Sequence, residues 1–169
     1  PGGLTLMEAR ADPAQAREQN LRFDAGESVR QDRVGVTYAR DLGSGLEVRL
    51  SGFHTHRRFS NKVPFEAGGQ VDLDRRHFGA SLVSLWKHRG VDLAFGVDLG
   101  RQVDARKNFD NLEGRRGDMA LDQRERMTNL GAFARAAFEV LPDTELAAAL
   151  RYDTVRFEVD DALLADGNQ

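Results

Sequence analysis

Between Leu130 and Asp153 the chain reads LGAFARAAFEVLPDTELAAALRYD, a stretch that few folds can accommodate. Leu130, Ala132, Ala134, Ala136, Phe138 and Val140 fall on one parity, with Asn129, Gly131, Arg135 and Glu139 on the other. After Pro142-Asp143 the alternation resumes, and Leu146, Ala148, Leu150 and Tyr152 stand against Arg151 and Asp153. Successive side chains point to opposite faces of a strand, so a period of two gives each set its own face. The spacing predicts a β-hairpin with one uncharged and one ionic face. That is what a sheet between lipid and water requires.

Two more hairpins share this organisation. In the first, Gln31 to Arg40 puts Val34, Val36 and Tyr38 on one face, and Asp41 to Gly45 is the turn, its glycines free to take positive φ. The return strand, Leu46 to about Phe59, sets Leu46, Val48 and Leu50 against Glu47, Arg49 and Ser51. The second starts near Arg75, with Phe78, Ala80, Leu82, Ser84 and Trp86 on one face, and turns at Lys87-His88-Arg89-Gly90. Val91, Leu93, Phe95, Val97 and Leu99 then alternate strictly with Asp92, Ala94, Gly96, Asp98 and Gly100. The polar stretches 60–74 and 107–123 read as long loops, the first broken by Pro64 and Gly68-Gly69. Short turns on one side and long loops on the other are the asymmetry of outer-membrane barrels. The strands also exceed the five or six residues usual in a soluble sandwich. Trp86 and Phe138 precede short turns on the apolar parity, the height of an aromatic girdle, although a soluble core takes the same residues.

Residues 1–30 lack this alternation and read as an extracellular-type loop, leaving 31–169 as the barrel portion. Thr5 can cap a short helix through Arg10, because Glu8 sits at the capping-box spacing. Asp12-Pro13 interrupts it, and Pro13 can open another turn over Ala14 to Arg17. The start at Pro1 and the loop-like Asp166-Gly167-Asn168-Gln169 read as a piece of a larger protein; the alternative is a complete domain with trimmed tails.

Composition narrows the classes. A mean hydropathy of −0.52 resembles a soluble protein, but half of each strand in a membrane barrel also faces water. No run approaches 18 apolar residues, which excludes a transmembrane helix. The absence of cysteine removes disulfides, thiolate metal sites and thiol nucleophiles. A net charge of −3 gives no reason to expect nucleic acid as a partner. There is no nucleophile elbow, phosphate-cradling glycine loop or His-Glu-x-x-His, so neither an enzyme nor a resident cofactor is expected.

The run LGAFARAAFEVLPDTELAAALRYDTVRFEVDD resembles the late-barrel hairpin of TonB-dependent outer-membrane receptors: a small-aromatic strand, a short proline-containing turn, then an apolar strand ending in Leu-Arg-Tyr-Asp. PGGLTLMEARADPAQA and QNLRFDAGESVRQDRVGVTY are similar to loop-plus-strand sequence of the ferric-chelate branch. The resemblance implies a 22-stranded barrel with a plug in its lumen. It implies uptake of a ferric siderophore, haem, cobalamin or another scarce nutrient, energised from the inner membrane through a box near the N-terminus. Neither plug nor box is in this sequence. Six strands form only part of such a wall, and their edges, Gln31–Arg40 and Glu145–Glu158, need neighbouring strands in hydrocarbon.

Candidate functional residues follow. Glu47, Arg49, Arg57, Asp92, Asp98, Arg135, Arg151 and Asp153 share the ionic parity and would line a lumen or a solvated face. Arg115, Arg116, Arg124 and Arg126, with Arg57, Arg75 and Arg76, fall at the loop-side rim. Arginine is the favoured partner of carboxylates, so these seven are candidate contacts for an anionic chelate; interleaved Glu113, Asp118, Asp122 and Glu125 also suit a solvated loop. His54 and His56 share the outward parity with Arg58, near lipopolysaccharide phosphates; their spacing also permits a metal. Arg116-Gly117-Asp118 is a chance-level adhesion tripeptide, and Asp72 and Asp74 lack an EF-hand frame.

The whole predicts an all-β, antiparallel up-and-down transmembrane barrel segment of three hairpins. It would sit in the bacterial outer membrane, as part of a TonB-dependent receptor taking up a ferric siderophore or similar chelate. Its partners would be outer-membrane lipid, lipopolysaccharide and the TonB complex through the plug region. The alternatives are a soluble antiparallel barrel or sandwich binding a small ligand, and a passive diffusion porin.

Overall fold

The period-two segments pair with their chain neighbours, because each hairpin turn returns the strand alongside itself. The computed structural model describes residues 3–163, so the expected Asp166–Gln169 loop lies outside the described residues. Six strands, β1 (Gly26–Gly43), β2 (Leu46–Lys62), β3 (Gln70–His88), β4 (Val91–Leu112), β5 (Arg115–Leu141) and β6 (Thr144–Asp161), make one antiparallel sheet in the order β1-β2-β3-β4-β5-β6. This is the up-and-down meander that the sequence predicts.

Register aligns the apolar parities across all six strands. Tyr38, Leu50, Leu82, Val97, Ala132 and Tyr152 form one lateral row, and Val36, Gly52, Ala80, Leu99, Leu130 and Thr154 the next. A slip of one residue on any strand would turn that strand inside out. None of the described residues covers this face. Val97, Leu99 and Leu150 are 46%, 43% and 77% exposed, and of the apolar residues described only Phe109 and Ala137 are buried. The described residues are therefore a single layer without a packed core. These residues alone therefore do not make a sandwich or a small closed barrel, either of which would enclose the apolar face.

The turns at one end are tight. Ser44-Gly45 (φ 54° and 78°) and Arg89-Gly90 (φ 48° and 81°) have positive φ at both central positions, the hairpin geometry that matches strand twist. At Pro142-Asp143 the proline fixes one torsion and Asp143 takes φ 61°.

The opposite end departs from expectation. The long loop expected over 107–123 is a continuation of β4 and β5, closed by Glu113-Gly114 with φ 51° and 88°. The loop expected over 60–74 shrinks to 63–69, and β1 begins at Gly26. The cause is composition: both parities are mostly polar in these stretches. Strands that project into water need no apolar parity, so their backbone pairing continues where the sequence signal stops. The two ends remain unequal, through long projecting strands more than long loops.

Near the start, α1 (Leu6–Ala11) carries the expected capping box: Thr5 N–H donates to Glu8 (2.7 Å), and Glu8 N–H donates to Thr5 Oγ1 (3.3 Å). The expected turn over 14–17 does not form as a helix. Asp12 accepts the Ala14 N–H (2.9 Å) in an Asx turn, and the second helix, α2 (Glu18–Arg22), starts later. Neither helix is long and apolar enough to cross a membrane.

Candidate functional site: the ionic concave wall

A twisted sheet has one hollow face, and here it is the ionic one. A cavity of about 840 Å³ opens on it, lined among others by Thr37, Ser51, Ser81, Asp98, Asn129 and Asp153. All six sit on the parity opposite Tyr38 and Val97. The apolar face is thus convex.

In the half nearest the short turns, the residues expected to line a lumen share this concave face and pair with one another. Arg49 bonds Glu47 (2.7 Å), Arg135 bonds Glu145 (3.1 Å) and Lys87 lies 3.3 Å from Asp92. Arg151 on β6 reaches Asp98 on β4 (2.8 Å) and also holds Asp153 (2.7 Å). It must cross β5 to do so. Gly131 makes the crossing possible, because a Cβ there would strike the Arg151 guanidinium and the Asp153 carboxylate. Aromatic rings cover two other glycines, Phe53 over Gly79 and Phe133 over Gly96.

Toward the projecting end the concave face continues in two further inward rows. One is Arg33, Thr55, His77, Gln102, Met127 and Phe157; the next is Gln31, Arg57, Arg75, Asp104, Glu125 and Val159. Arg75 grips the nearly buried Asp104 with two bonds (2.9 and 2.6 Å), and Gln102 adds a third (3.1 Å). The Asp104 hydrogen bonds raise the Arg75 pKa above its ordinary value, against the opposing effect of burial. Arg57 faces Arg75 directly, lies 5.7 Å above the Phe59 ring, and has a buried Nε without a partner. Arg33 lies 4.4 Å above the Phe53 ring, whose edge meets His77 at 5.1 Å.

The seven rim arginines do not form one cluster. Arg57 and Arg75 are on the concave face, whereas Arg76, the next residue, turns outward beside Asp74 (3.8 Å). Arg124 and Arg126 also face outward, the latter bound to Asp160 (2.7 Å). Arg116 lies over Phe109 (4.1 Å) and bonds Asp72 (2.6 Å); Arg115 opens β5 beside Leu112. The reason is alternation: a stretch read as a loop is a strand, and neighbours on a strand part company. Arg33, Phe53, His77, Gln102 and Asp104 were not singled out by sequence, because only register brings them together. On the convex face His56 bonds Asp74 (2.9 Å), and no group of three or more metal-ligating side chains occurs among the described residues. Asp72 and Asp74 are thus engaged by Arg116 and His56 rather than arranged for calcium.

The projecting tip is tied together by buried Asn111. Its amide donates to Phe23 O (3.0 Å) and Val63 O (2.9 Å) and accepts from Gln70 (3.2 Å) and Gly114 N–H (2.8 Å). Arg22–Glu113 (2.7 Å), Lys62–Asp24 (2.6 Å) and Gln19–Pro64 (2.7 Å) fasten the segment around α2 to the same tip.

No family model matches the chain. Among solved structures, the ferric citrate transporter FecA in its unliganded form is similar over 96% of this chain, with a TM-score of 0.70 and 13% identity. The match spans 26% of that transporter's chain. The likeness is one of fold: a quarter of the transporter superposes on six strands of wall.

Proposed function

We propose that this chain is a segment of the wall of an outer-membrane receptor that takes up a ferric siderophore or similar metal chelate. The observation that carries the reading is the two-faced sheet. Its convex face is largely apolar and left uncovered by the described residues from the row of Val91, Phe138 and Leu146 to the row of Val36, Ala80, Leu99 and Leu130, about 27 Å along the strand at ~3.4 Å per residue. At a barrel tilt of ~35–45° this gives about 20 Å of height, close to the ~25 Å apolar band of outer-membrane barrels. Beyond that row the outward residues turn polar: His54, Arg101, Thr128 and Arg156 share the next line with Val34 and Phe78, and Asp32, His56, Arg76, Arg126 and Glu158 share the one after with Val103. Trp86 and Phe138, 40% and 39% exposed beside the short turns, suit the inner interface.

The open edges of β1 and β6 fit the same reading. Unpaired strands are not tolerated in hydrocarbon, so further strands of the receptor would pair with both. The projecting hairpins would capture the chelate outside, with outward Arg58 and His54 near lipopolysaccharide. The ionic concave wall would face a plug coupled to the TonB complex. Membrane fractionation and heat-modifiable gel migration of the complete protein test this. Outer-membrane recovery with a mobility shift is expected; recovery in the soluble fraction overturns it.

A further inference from the structure

We infer that the connection leaving the projecting end of β6 folds inward, and that its Leu163-Leu164 pair covers an apolar strip of Val155, Phe157 and Val159 on the concave wall. The inference rests on the receptor reading, because only a barrel makes that face a lumen. It starts from a change of side along β6. Up to Tyr152 the strand puts Leu146, Ala148, Leu150 and Tyr152 on the convex face, with Arg151 and Asp153 on the concave one. Above that point the sides exchange. Thr154, Arg156, Glu158 and Asp160 point out, while Val155, Phe157 and Val159 point in. No bulge intervenes, since the β5–β6 register runs unbroken from Glu139 opposite Glu145 to Gln123 opposite Asp161. The alternation is kept, and its apolar member moves from the outer side of the wall to the lumen side.

All three inward side chains are exposed, Phe157 at 60%. Across the strand pair they meet Asn129, Met127 and Glu125, so Met127 is their one apolar neighbour on β5. A strand added at the free edge of β6 would lie about 4.8 Å to the side, beside the strip and not over it. Apolar residues at every second position mark a face that is covered, because such side chains gain only by leaving water. The course of the chain at Asp161 identifies the cover. Asp161 shares the inward parity, where Gln123 donates to it (3.3 Å). Its carboxylate also accepts the Leu163 N–H (2.9 Å), an Asx turn that draws the exit from β6 toward the concave side. Leu163 is half-buried, and Leu164 and Ala165 follow it in the sequence. Phe157 lies about 14 Å below Asp161 at ~3.4 Å per residue, and residues 164–169 span up to about 20 Å when extended, so the connection reaches the whole strip.

The test uses the complete protein in outer-membrane preparations and the rate at which a water-soluble maleimide modifies single cysteines. Phe157→Cys reports the strip, Val159→Cys is a second reporter of it, and Glu158→Cys between them reports the convex face. With no ligand added, both strip thiols are expected to react at least tenfold more slowly than the Glu158→Cys thiol. Adding Leu163→Ser/Leu164→Ser should bring them to within about twofold of it. Strip thiols that react as fast as Glu158→Cys in the otherwise native protein overturn the inference. So does protection that survives Leu163→Ser/Leu164→Ser, which assigns the cover to another part of the protein. Protection that develops only with added ferric citrate also overturns it, and makes the strip a ligand contact. Folding of each variant is checked by heat-modifiable migration. Fast strip thiols in a protein that still fractionates with the outer membrane remove the cover alone; soluble recovery removes the receptor reading.

Discussion

Single residues decide where this sheet can bend and where charge can cross it. Gly45 and Gly43 flank the same turn with φ near 78° and 85°, so both lie where a side chain is strained. They differ in space. A Cβ on Gly45 would strike the Lys87 backbone carbonyl of the neighbouring hairpin, whereas one on Gly43 meets nothing within 4 Å. Gly43→Ala should therefore cost only the left-handed penalty, about 1–2 kcal/mol, while Gly45→Ala adds a displaced β3 end. Urea unfolding of the complete protein should rank Gly45→Ala clearly below Gly43→Ala. Gly131 gives a contrasting case. Its Cβ would meet the ends of flexible side chains, Arg151 and Asp153, and not backbone. Gly131→Ala should swing Arg151 away from Asp98, losing a half-exposed ion pair that solvent screens strongly. The same titration should find it nearly neutral.

At the scale of elements, the projecting tip and the buried Asn111 behave as one unit. All four hydrogen-bonding positions of that amide are used, and its partners come from the α2 segment, the 63–69 connection and the β4–β5 hairpin. Asn111→Ala orphans several buried groups at ~1–3 kcal/mol each, so local opening should become easier by about 2 kcal/mol, roughly 30-fold. Hydrogen exchange should quicken at residues 19–25 and 63–69 while the β5 strand near Ala132 is unchanged. The cap of α1 responds to acid instead. The Thr5 backbone hydrogen bond lowers the Glu8 pKa below its ordinary value. A depressed carboxylate stabilises above its unfolded pKa, and that support is lost as pH falls through the folded one. Amide exchange in α1 should thus rise only in acid, and in Glu8→Gln this pH dependence should vanish. Both elements also mark how far sequence reaches. Thr5 and Glu8 announce their box through spacing along one segment. The three hairpins announce themselves through Val34, Leu82 or Val97, whose parity is forced by an apolar environment. Residues 113–124 carried no such mark, because both parities are mostly polar there and only Glu113-Gly114 hints at a turn. The pairing of Arg33 with Phe53, or of Arg75 with Asp104, depends on register between strands, which no single strand encodes.

For the whole molecule, the question is which solvent meets the convex face. Val97 lies in the middle rows of the apolar band, between Leu82 and Ala132, and is 46% exposed. Thr128 lies on the same outward parity of β5 beside Arg101, above the last apolar row. If the face meets acyl chains, an arginine at the first position costs ~2–4 kcal/mol, and one at the second ~0–1 kcal/mol, because the penalty falls toward the interface. If both positions meet water, an exposed strand residue changes stability within ~0.5 kcal/mol either way. The two environments therefore predict different rankings from the same pair of substitutions. In the complete protein, refolded into phospholipid vesicles and scored by heat-modifiable migration, Val97→Arg should lower the folded fraction sharply. Thr128→Arg should fold as the native protein does. Equal folding of both would put the convex face in water, and the wall would then need another protein surface, not lipid, to cover it.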